Sequence, residues 1–336
     1  MKDMITAILK YSFAATLILA CTRLEEDTRP FQSRIYLGSG TSLDSVSVWI
    51  TDRKDTTYAL LTKASPVLTC PAYSSADLLI AGNLGRLSHS CNGSDIPLAD
   101  TLTADLSRMT PDKPVFRSIR TVHLQSGANT INITASYSVA KIHIGTIENR
   151  LEEGAYYGLP ITIDKVFIIN GIGRYLLFPG ESSSNSFPQK GRWWFCPSGI
   201  SGASPILMGS GEGLMPEPEI SQSEIGAEIQ YGSSTDIDTD LYTGPNPTET
   251  DIFGTASSTP WEARKTRLVV QCIIDDTVFY YPITIDDIIE NHIYTIEKLV
   301  ISHTGTLHPD QPFELEEQAL EVRVAAWDGI SLTERI

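Results

Sequence analysis

The feature that most constrains the fold is a period-two alternation of apolar and polar residues that recurs along most of the chain. Such alternation is typical of β-strands with one buried face. Clusters of Gly, Pro, Ser, Thr and Asn separate the runs, and windows with helical periodicity are scarce. Many strands with turn signals between them predict an all-β fold of β-sandwiches. The alternating apolar positions are Val46, Val48, Ile50; Val122, Leu124; Ile131, Ile133; Ile142, Ile144; Leu268, Val270; and Leu320, Val322, Val324.

Two stretches depart from this pattern. Leucines at helical spacing predict one short helix around Leu98 to Met109. Gly180 to Ser258 is polar and rich in Gly and Pro, a composition that buries little apolar surface, so it predicts long surface loops. Within it, Trp193 and Trp194 are interpreted either as a packing anchor or as a ligand-contacting patch.

The first 20 residues have the layout of a secretory signal, with Lys2, an apolar run from Tyr11 to Leu19, and a small residue before Cys21. The run is too short to span a membrane, which needs about 20 apolar residues. Ile18-Leu19-Ala20-Cys21 resembles the lipobox of bacterial lipoproteins, in which the Cys thiol carries a lipid. We therefore predict a signal peptide over 1–20, lipid on Cys21, a tether over 21–31 and attachment to the cell outer membrane. The alternative is an ordinary signal peptide with an accidental Cys.

The acidic cluster Glu25-Glu26-Asp27 lies close to the predicted lipid. It resembles a surface-export signal of Bacteroidota lipoproteins, and it is equally compatible with a solvated linker.

Length and charge limit the classes of function. The residues after the predicted signal suffice for two domains of about 150 residues each, and we assign them to 32–150 and 151–336. The formal net charge is −16. A chain this acidic repels nucleic acid, so DNA and RNA are excluded as partners.

The remaining cysteines have no CxxC spacing, and a lipoprotein beyond the inner membrane lies in an oxidising compartment. A Cys70–Cys91 disulfide and buried free thiols both stay open. The four cysteines are Cys70, Cys91, Cys196 and Cys272.

Motifs that carry catalysis or cofactor binding are missing from the sequence. None of the six histidines stands in HExxH, and no GxSxG elbow occurs. Asp236-Ile237-Asp238-Thr239-Asp240 begins like a calcium loop, but Leu241 and Pro247 occupy the positions that need Gly and Glu. We predict no enzyme activity, no cofactor and no metal centre beyond a weak surface calcium site.

Two stretches carry a family resemblance. The first contains Ala81-Gly82-Asn83, Gly127-Ala128-Asn129 and Val139-Ala140-Lys141; the second contains Asn291-His292-Ile293-Tyr294, Gly305-Thr306 and a final run from Leu320 to Trp327. In this order they resemble the fimbrillins, the type V pilin subunits of Bacteroidales. The resemblance implies two transthyretin-like β-sandwich domains and export as a lipoprotein. It also implies assembly by strand exchange, in which a protease removes a first strand and the tail of another subunit fills the groove.

The end of the chain has the pattern expected of such a donor strand. Ile330, Leu332 and Ile336 share one face of an extended strand, and Glu334 interrupts that face. Strand addition gains affinity from main-chain hydrogen bonds and from apolar side chains in alternate pockets. The alternative is that the tail completes the sheet of its own domain.

Proteolytic maturation is less clearly marked. In the family, cleavage follows an Arg between the first two strands, whereas Leu37 to Ser45 contains no basic residue. Arg34 and Arg53 are the nearest candidate cleavage sites. Tyr137 and Glu290 also stand where the family often has Arg.

The sequence therefore predicts a structural fimbrial subunit that acts in adhesion, binds other subunits by strand exchange and contacts an unidentified surface receptor. An uncleaved lipidated anchor or accessory protein is the alternative within the family. A monomeric glycan-binding surface lipoprotein, which would use Trp193 and Trp194, is the alternative from another class.

Overall fold

The computed structural model confirms the all-β class. In the part of the chain that it describes, every regular element is a strand except three 3₁₀ turns, at Leu106–Arg108, Gly154–Tyr156 and Glu219–Ser221. None of the helical turns there is long and apolar enough to cross a membrane. The described residues are 31–36, 45–51, 56–62, 67–70, 75–84, 103–124, 130–178, 193–196, 213–216, 218–246, 265–309, 311, 320–327 and 330–335.

The strands follow one another with short connections in most places. Those of the first half are β1 Phe31–Tyr36, β2 Ser45–Thr51, β3 Thr56–Thr62, β4 Val67–Cys70, β5 Ala76–Gly82, β6 Thr103–Asp105, β7 Phe116–Val122, β8 Thr130–Tyr137 and β9 Ala140–Asn149. Those of the second half are β10 Ile161–Ile169, β11 Ile172–Leu176, β12 Trp193–Cys196, β13 Gly213–Pro216, β14 Gln222–Ile229, β15 Ser234–Thr243, β16 Thr266–Ile274, β17 Thr277–Ile285, β18 His292–Ile301, β19 Leu320–Ala326 and β20 Ile330–Arg335.

The largest sheet has the order β3-β2-β5-β7-β8-β20-β1-β4. Its two outermost strands, β3 and β4, are consecutive in sequence, and only residues 63–66 connect them. A connection of this length spans at most about 18 Å, whereas eight flat strands would be about 34 Å wide. The sheet must therefore curl until its two ends approach each other.

Two four-stranded sheets, built from β9 and strands of the second half, form a sandwich with orders β14-β10-β16-β17 and β15-β9-β18-β19. Side chains from both sheets meet in one core, because alternate residues of each strand point inward. Ile142 and Ile144 of β9 pack there with Val270 of β16 and Ile296 of β18, all fully buried. A fourth small sheet has the order β13-β12-β11-β6.

The predicted inward positions are buried where the structure describes their side chains. Val46, Val48 and Ile50 of β2 are at most 1% exposed, and Leu268 of β16 is fully buried. The period-two pattern thus identified core strands correctly. An exception is Val324 of β19, which is 57% exposed although it follows the same pattern.

Two local predictions were wrong. The predicted helix around Leu98 to Met109 is strand β6 followed by one 3₁₀ turn in its described part, where Asp105 caps the turn through Ser107 N. The predicted loop region contains strands β14 and β15, which lie in different sheets and are joined by a turn with Gly232 at φ +77°. Asp is depleted in strands, and the alternating aspartates of β15 concealed its period-two pattern.

The division at residue 150 stays a prediction, and strand pairing crosses it in three places. β6 pairs with β11. β9 pairs with β15 and in parallel with β18, so it belongs to a sheet of otherwise C-terminal strands. β20 pairs with β8 and β1, so the chain's last strand belongs to the N-terminal sheet.

Candidate functional site

The tail strand β20 is an interior strand of the large sheet. All of its residues pair antiparallel with β8, from Ile330 opposite Ala135 to Arg335 opposite Thr130. Its last three residues also pair with β1, from Thr333 opposite Tyr36 to Arg335 opposite Arg34. The strand that precedes it, β19, lies in a different sheet. The tail therefore crosses from the C-terminal sandwich into the sheet built by the N-terminal strands.

The register pairs neighbouring residues of β20 with residues of β8 that differ in burial. Directly opposed residues of an antiparallel pair lie on the same side of the sheet. Ala135 is fully buried, whereas its neighbour Thr134 is exposed. On β20, Ile330 is paired with Ala135 and Ser331 with Thr134.

Arg34 is the residue at which β1 changes its pairing partner. Phe31 to Arg34 pair with β4, and Arg34 to Tyr36 pair with β20. A cut after Arg34 would release the half that pairs with β4 and leave Ile35 and Tyr36 beside the tail. Arg53, Cys21 and Ile336 lie outside the described residues.

An aromatic cluster surrounds Trp327, the residue after β19. Its ring lies 4.1 Å from the ring of Tyr137, the last residue of β8, and 6.1 Å from that of Tyr242. Lys141 Nζ lies 5.5 Å from the Trp327 ring centroid, within cation–π range. Partial burial raises the pKa of Tyr137. The packing of Tyr137 against Trp327 thus joins the end of β8 to the end of β19.

Asn291 connects the elements around this cluster. Its backbone N–H donates to Val139 O at 2.9 Å, and its carbonyl accepts from Trp327 N at 2.7 Å. Its side-chain oxygen accepts from Tyr137 N at 3.0 Å. A φ of 59° places it in the left-handed region, which Asn tolerates better than most residues.

The ion pair between Arg117 and Glu290 joins β7 to the segment before β18. Arg117 donates to Glu290 Oε1 and to Leu177 O, both at 2.5 Å. Beside it, the buried Tyr175 hydroxyl donates to Ser138 O at 2.6 Å. Glu290 stands where the fimbrillins often have Arg, and Arg117 supplies the positive charge that pairs with this carboxylate.

Other residues of the recurring motifs have structural roles that the geometry explains. A Cβ on Gly82 would lie 2.0 Å from Phe116 Cζ, and one on Gly305 would lie 2.3 Å from Tyr280 O. Neighbouring Thr306 exchanges backbone hydrogen bonds with Tyr280 at 2.8 Å. The Tyr294 hydroxyl donates to Asp287 O at 2.7 Å and accepts from Ile289 N at 2.8 Å. These contacts hold strands and turns of the fold together.

The predicted aromatic patch and the described cysteines lie in other strands than β20. Trp193 and Trp194 lie in β12, whose backbone pairs with β11 and β13. Cys272 is buried and free, and burial raises the pKa of its thiol. Cys70 and Cys196 lie in β4 and β12, and Cys91 lies outside the described residues, so the Cys70–Cys91 bridge stays a prediction.

The aspartates of β15 face side chains of β9. Asp236 accepts from Thr146 at 2.8 Å, and Asp240 contacts Lys141 at 3.0 Å and His143 at 2.8 Å. Among the residues that the structure describes, no three His, Cys, Asp or Glu side chains converge as metal ligands would. Cross-strand pairing accounts for these contacts.

Comparison with known proteins gives matches in structure only. No family model and no curated protein sequence matches the chain. A proposed cell adhesion protein from Bacteroides eggerthii matches with a TM-score of 0.57 and 16% identity, over 90% of this chain and 98% of its own. A fimbrillin from Porphyromonas gingivalis matches with a TM-score of 0.56 and 12% identity, over 90% and 98%.

The chain has the fimbrillin fold. A third structure with this fold, a proposed cell adhesion protein from Parabacteroides distasonis, matches with a TM-score of 0.54 and 11% identity, over 89% of this chain and 99% of its own. The resemblance drawn from the motifs is thereby confirmed at the level of the fold. At these identities the fimbrillin fold is kept by strand pattern and packing, while most individual residues differ.

Proposed function

We propose that this chain is a structural subunit of a surface fimbria that polymerises by donating β20 to the sheet of a neighbouring subunit and contributes to cell adhesion. The observation that carries the proposal is the position of β20, an interior strand in a sheet whose other strands all come from the N-terminal half. The shared fold supports it, because the proteins of that fold include a fimbrillin and two proteins described as acting in cell adhesion.

The physics of strand addition suits this tail. A strand inserted between two others forms main-chain hydrogen bonds on both sides and places alternate side chains in the core. Burial of one Ile or Leu side chain of such a strand is worth about 1.5–3 kcal/mol before ordering costs. A tail with this pattern therefore binds any sheet that presents the β8 and β1 edges, including that of a second subunit.

The proposal includes export as a lipoprotein through Cys21 and a location in the outer membrane and the fimbrium. A mature subunit cut after Arg34 or Arg53 would lose the lipid and enter the fibre. An uncut subunit would stay lipidated and serve as an anchor or accessory protein. Identification of the N-terminal residue of the surface protein distinguishes the two, since a blocked Cys21 means anchor and a free end after either Arg means shaft or tip.

The donor role is tested by deletion of Ile330 to Ile336. Surface preparations are run on a denaturing gel without boiling, so that strand-exchanged polymers persist as a ladder. We expect the ladder to disappear with the deletion. A ladder of unchanged intensity would contradict the donor role.

A matched pair of substitutions separates strand insertion from general damage to the tail. Leu332→Asp puts a carboxylate on the face of the strand that the alternation predicts to be apolar, and Thr333→Asp puts the same group on the polar face. An unpaired charge is costly only where water is excluded. We expect Leu332→Asp to remove the ladder and Thr333→Asp to weaken it far less.

A further inference from the structure

The slot that β20 fills has two defined walls. One wall is the edge of β8 from Thr130 to Ala135, and the other is the end of β1 from Arg34 to Tyr36. Both walls belong to the same chain as the tail. We propose that in the free subunit the tail occupies its own slot, and that assembly exchanges this strand for the β20 of a second copy.

An open slot would leave backbone groups on both walls without partners. Unpaired strand edges are sites of aggregation, and proteins keep them covered. The free subunit covers them with its own tail, so it is held in a closed, assembly-incompetent state. This proposal rests on the proposed strand-donating function of β20 and adds how that donation is regulated.

The β20 of a second copy offers the same main-chain hydrogen-bonding pattern as the tail that it replaces. Exchange of identical strands between protomers keeps the same hydrogen bonds and the same side-chain pockets, which is the basis of domain swapping. The exchange therefore conserves most of the interaction free energy. Its rate depends on how often a tail leaves its own slot, and its extent depends on subunit concentration.

β1 does not compete with the tail for this slot. β20 lies beside β1, and β1 in turn lies beside β4. Loss of Phe31 to Arg34 would open the edge of β4 and leave the paired residues Ile35 and Tyr36 next to β20. The slot for the tail exists in the uncut chain, so self-capping needs no proteolysis.

A cysteine pair tests whether the tail occupies its own slot. Thr134 of β8 and Ser331 of β20 are directly opposed. Opposed Cα atoms lie about 4.5–5.5 Å apart, within the range of about 4.4–6.8 Å that a disulfide accepts. The full chain with Thr134→Cys and Ser331→Cys is purified as a dilute monomer, oxidised and run on a non-reducing gel.

The control pair moves one cysteine two residues along β8, to Ser136→Cys with Ser331→Cys. The Cα atoms are then about 8 Å apart, beyond the reach of a disulfide. We expect an intrachain bridge, seen as a faster-migrating monomer, in the opposed pair and not in the control. The bridged monomer should form no ladder until a reductant is added.

Three outcomes overturn the proposal. They are no bridge in the opposed pair, a bridge that forms only between chains, and a bridged monomer that polymerises as well as the reduced one. A bridge only between chains leaves the donor function intact and removes self-capping. Loss of the ladder on deletion of Ile330 to Ile336 tests the donor function separately, so the two failures are distinguishable.

Discussion

Trp327 and Tyr137 stack with ring centroids 4.1 Å apart, and this contact joins the end of β19 to the end of β8. It lies where the tail leaves the C-terminal sandwich and begins to pair with β8. Both rings are half-buried. The stack therefore fixes the starting point of β20 relative to the slot that receives it.

Trp327→Ala should destabilise the protein by about 1–3 kcal/mol, because it removes packing against two tyrosines and the stacking itself contributes about 0.5–1.5 kcal/mol. Denaturant unfolding measures the change. Trp327→Phe is the control, since it keeps an aromatic ring on Tyr137 and should recover most of the loss. Equal loss in both variants would show that ring stacking is not the stabilising contact.

Asn291→Ala should cost about 2–3 kcal/mol, because it removes a side-chain hydrogen bond and forces Ala into the left-handed region. Asn291→Gly is the matched variant, since Gly adopts positive φ without strain. The difference in unfolding free energy between the two variants measures the conformational part. Identical costs would mean that the hydrogen bond alone matters.

Gly82→Ala should destabilise the protein by about 1–3 kcal/mol through overpacking, because its Cβ would overlap the Phe116 ring. The double variant with Phe116→Leu removes the overlapping ring carbons. Unfolding of the two single variants and the double variant tests the coupling. The prediction requires the double variant to be more stable than the sum of the single losses implies; strict additivity would contradict it.

Stability should fall on acidification in a way that depends on Glu148. Hydrogen bonding to Lys298 holds the pKa of this carboxyl below its ordinary value of 4.5, against the opposing effect of burial, and Arg150 adds a further hydrogen bond. A depressed pKa in the folded state gives stability above the unfolded pKa that is lost as pH falls through the folded one. Glu148→Gln should therefore narrow the difference in unfolding free energy between pH 7 and pH 3. An unchanged difference would assign the acid sensitivity to other carboxyls.

The sequence predicted the fold class well because strands of a sandwich bury one face. Ile142 and Ile144 alternate in the sequence with Lys141 and His143, and the structure buries the isoleucines fully while the two polar residues are half-buried. The motif residues also fall where close packing or special backbone angles restrict the choice, as at Gly82 and Asn291. Local pattern is sufficient for such positions.

The path of the tail could not be predicted in the same way. The alternation of Ile330 and Leu332 indicates a strand but not its partner. Ile330 pairs with Ala135, which lies 195 residues earlier in the sequence. Pairing between strands so distant in sequence depends on how the whole sheet assembles, which a local pattern does not encode. The stack of Trp327 on Tyr137 could not be predicted for the same reason, since the two residues are 190 positions apart in the sequence.

The most direct test of the central claim is a cross-link between two copies in the polymer. One copy carries Thr134→Cys alone and the other Ser331→Cys alone, and the two carry tags of different size. After co-assembly and oxidation, the account predicts a disulfide-linked heterodimer of the two tagged chains, in excess of either homodimer. Polymers that form normally but contain no such heterodimer would contradict donation of β20 between subunits.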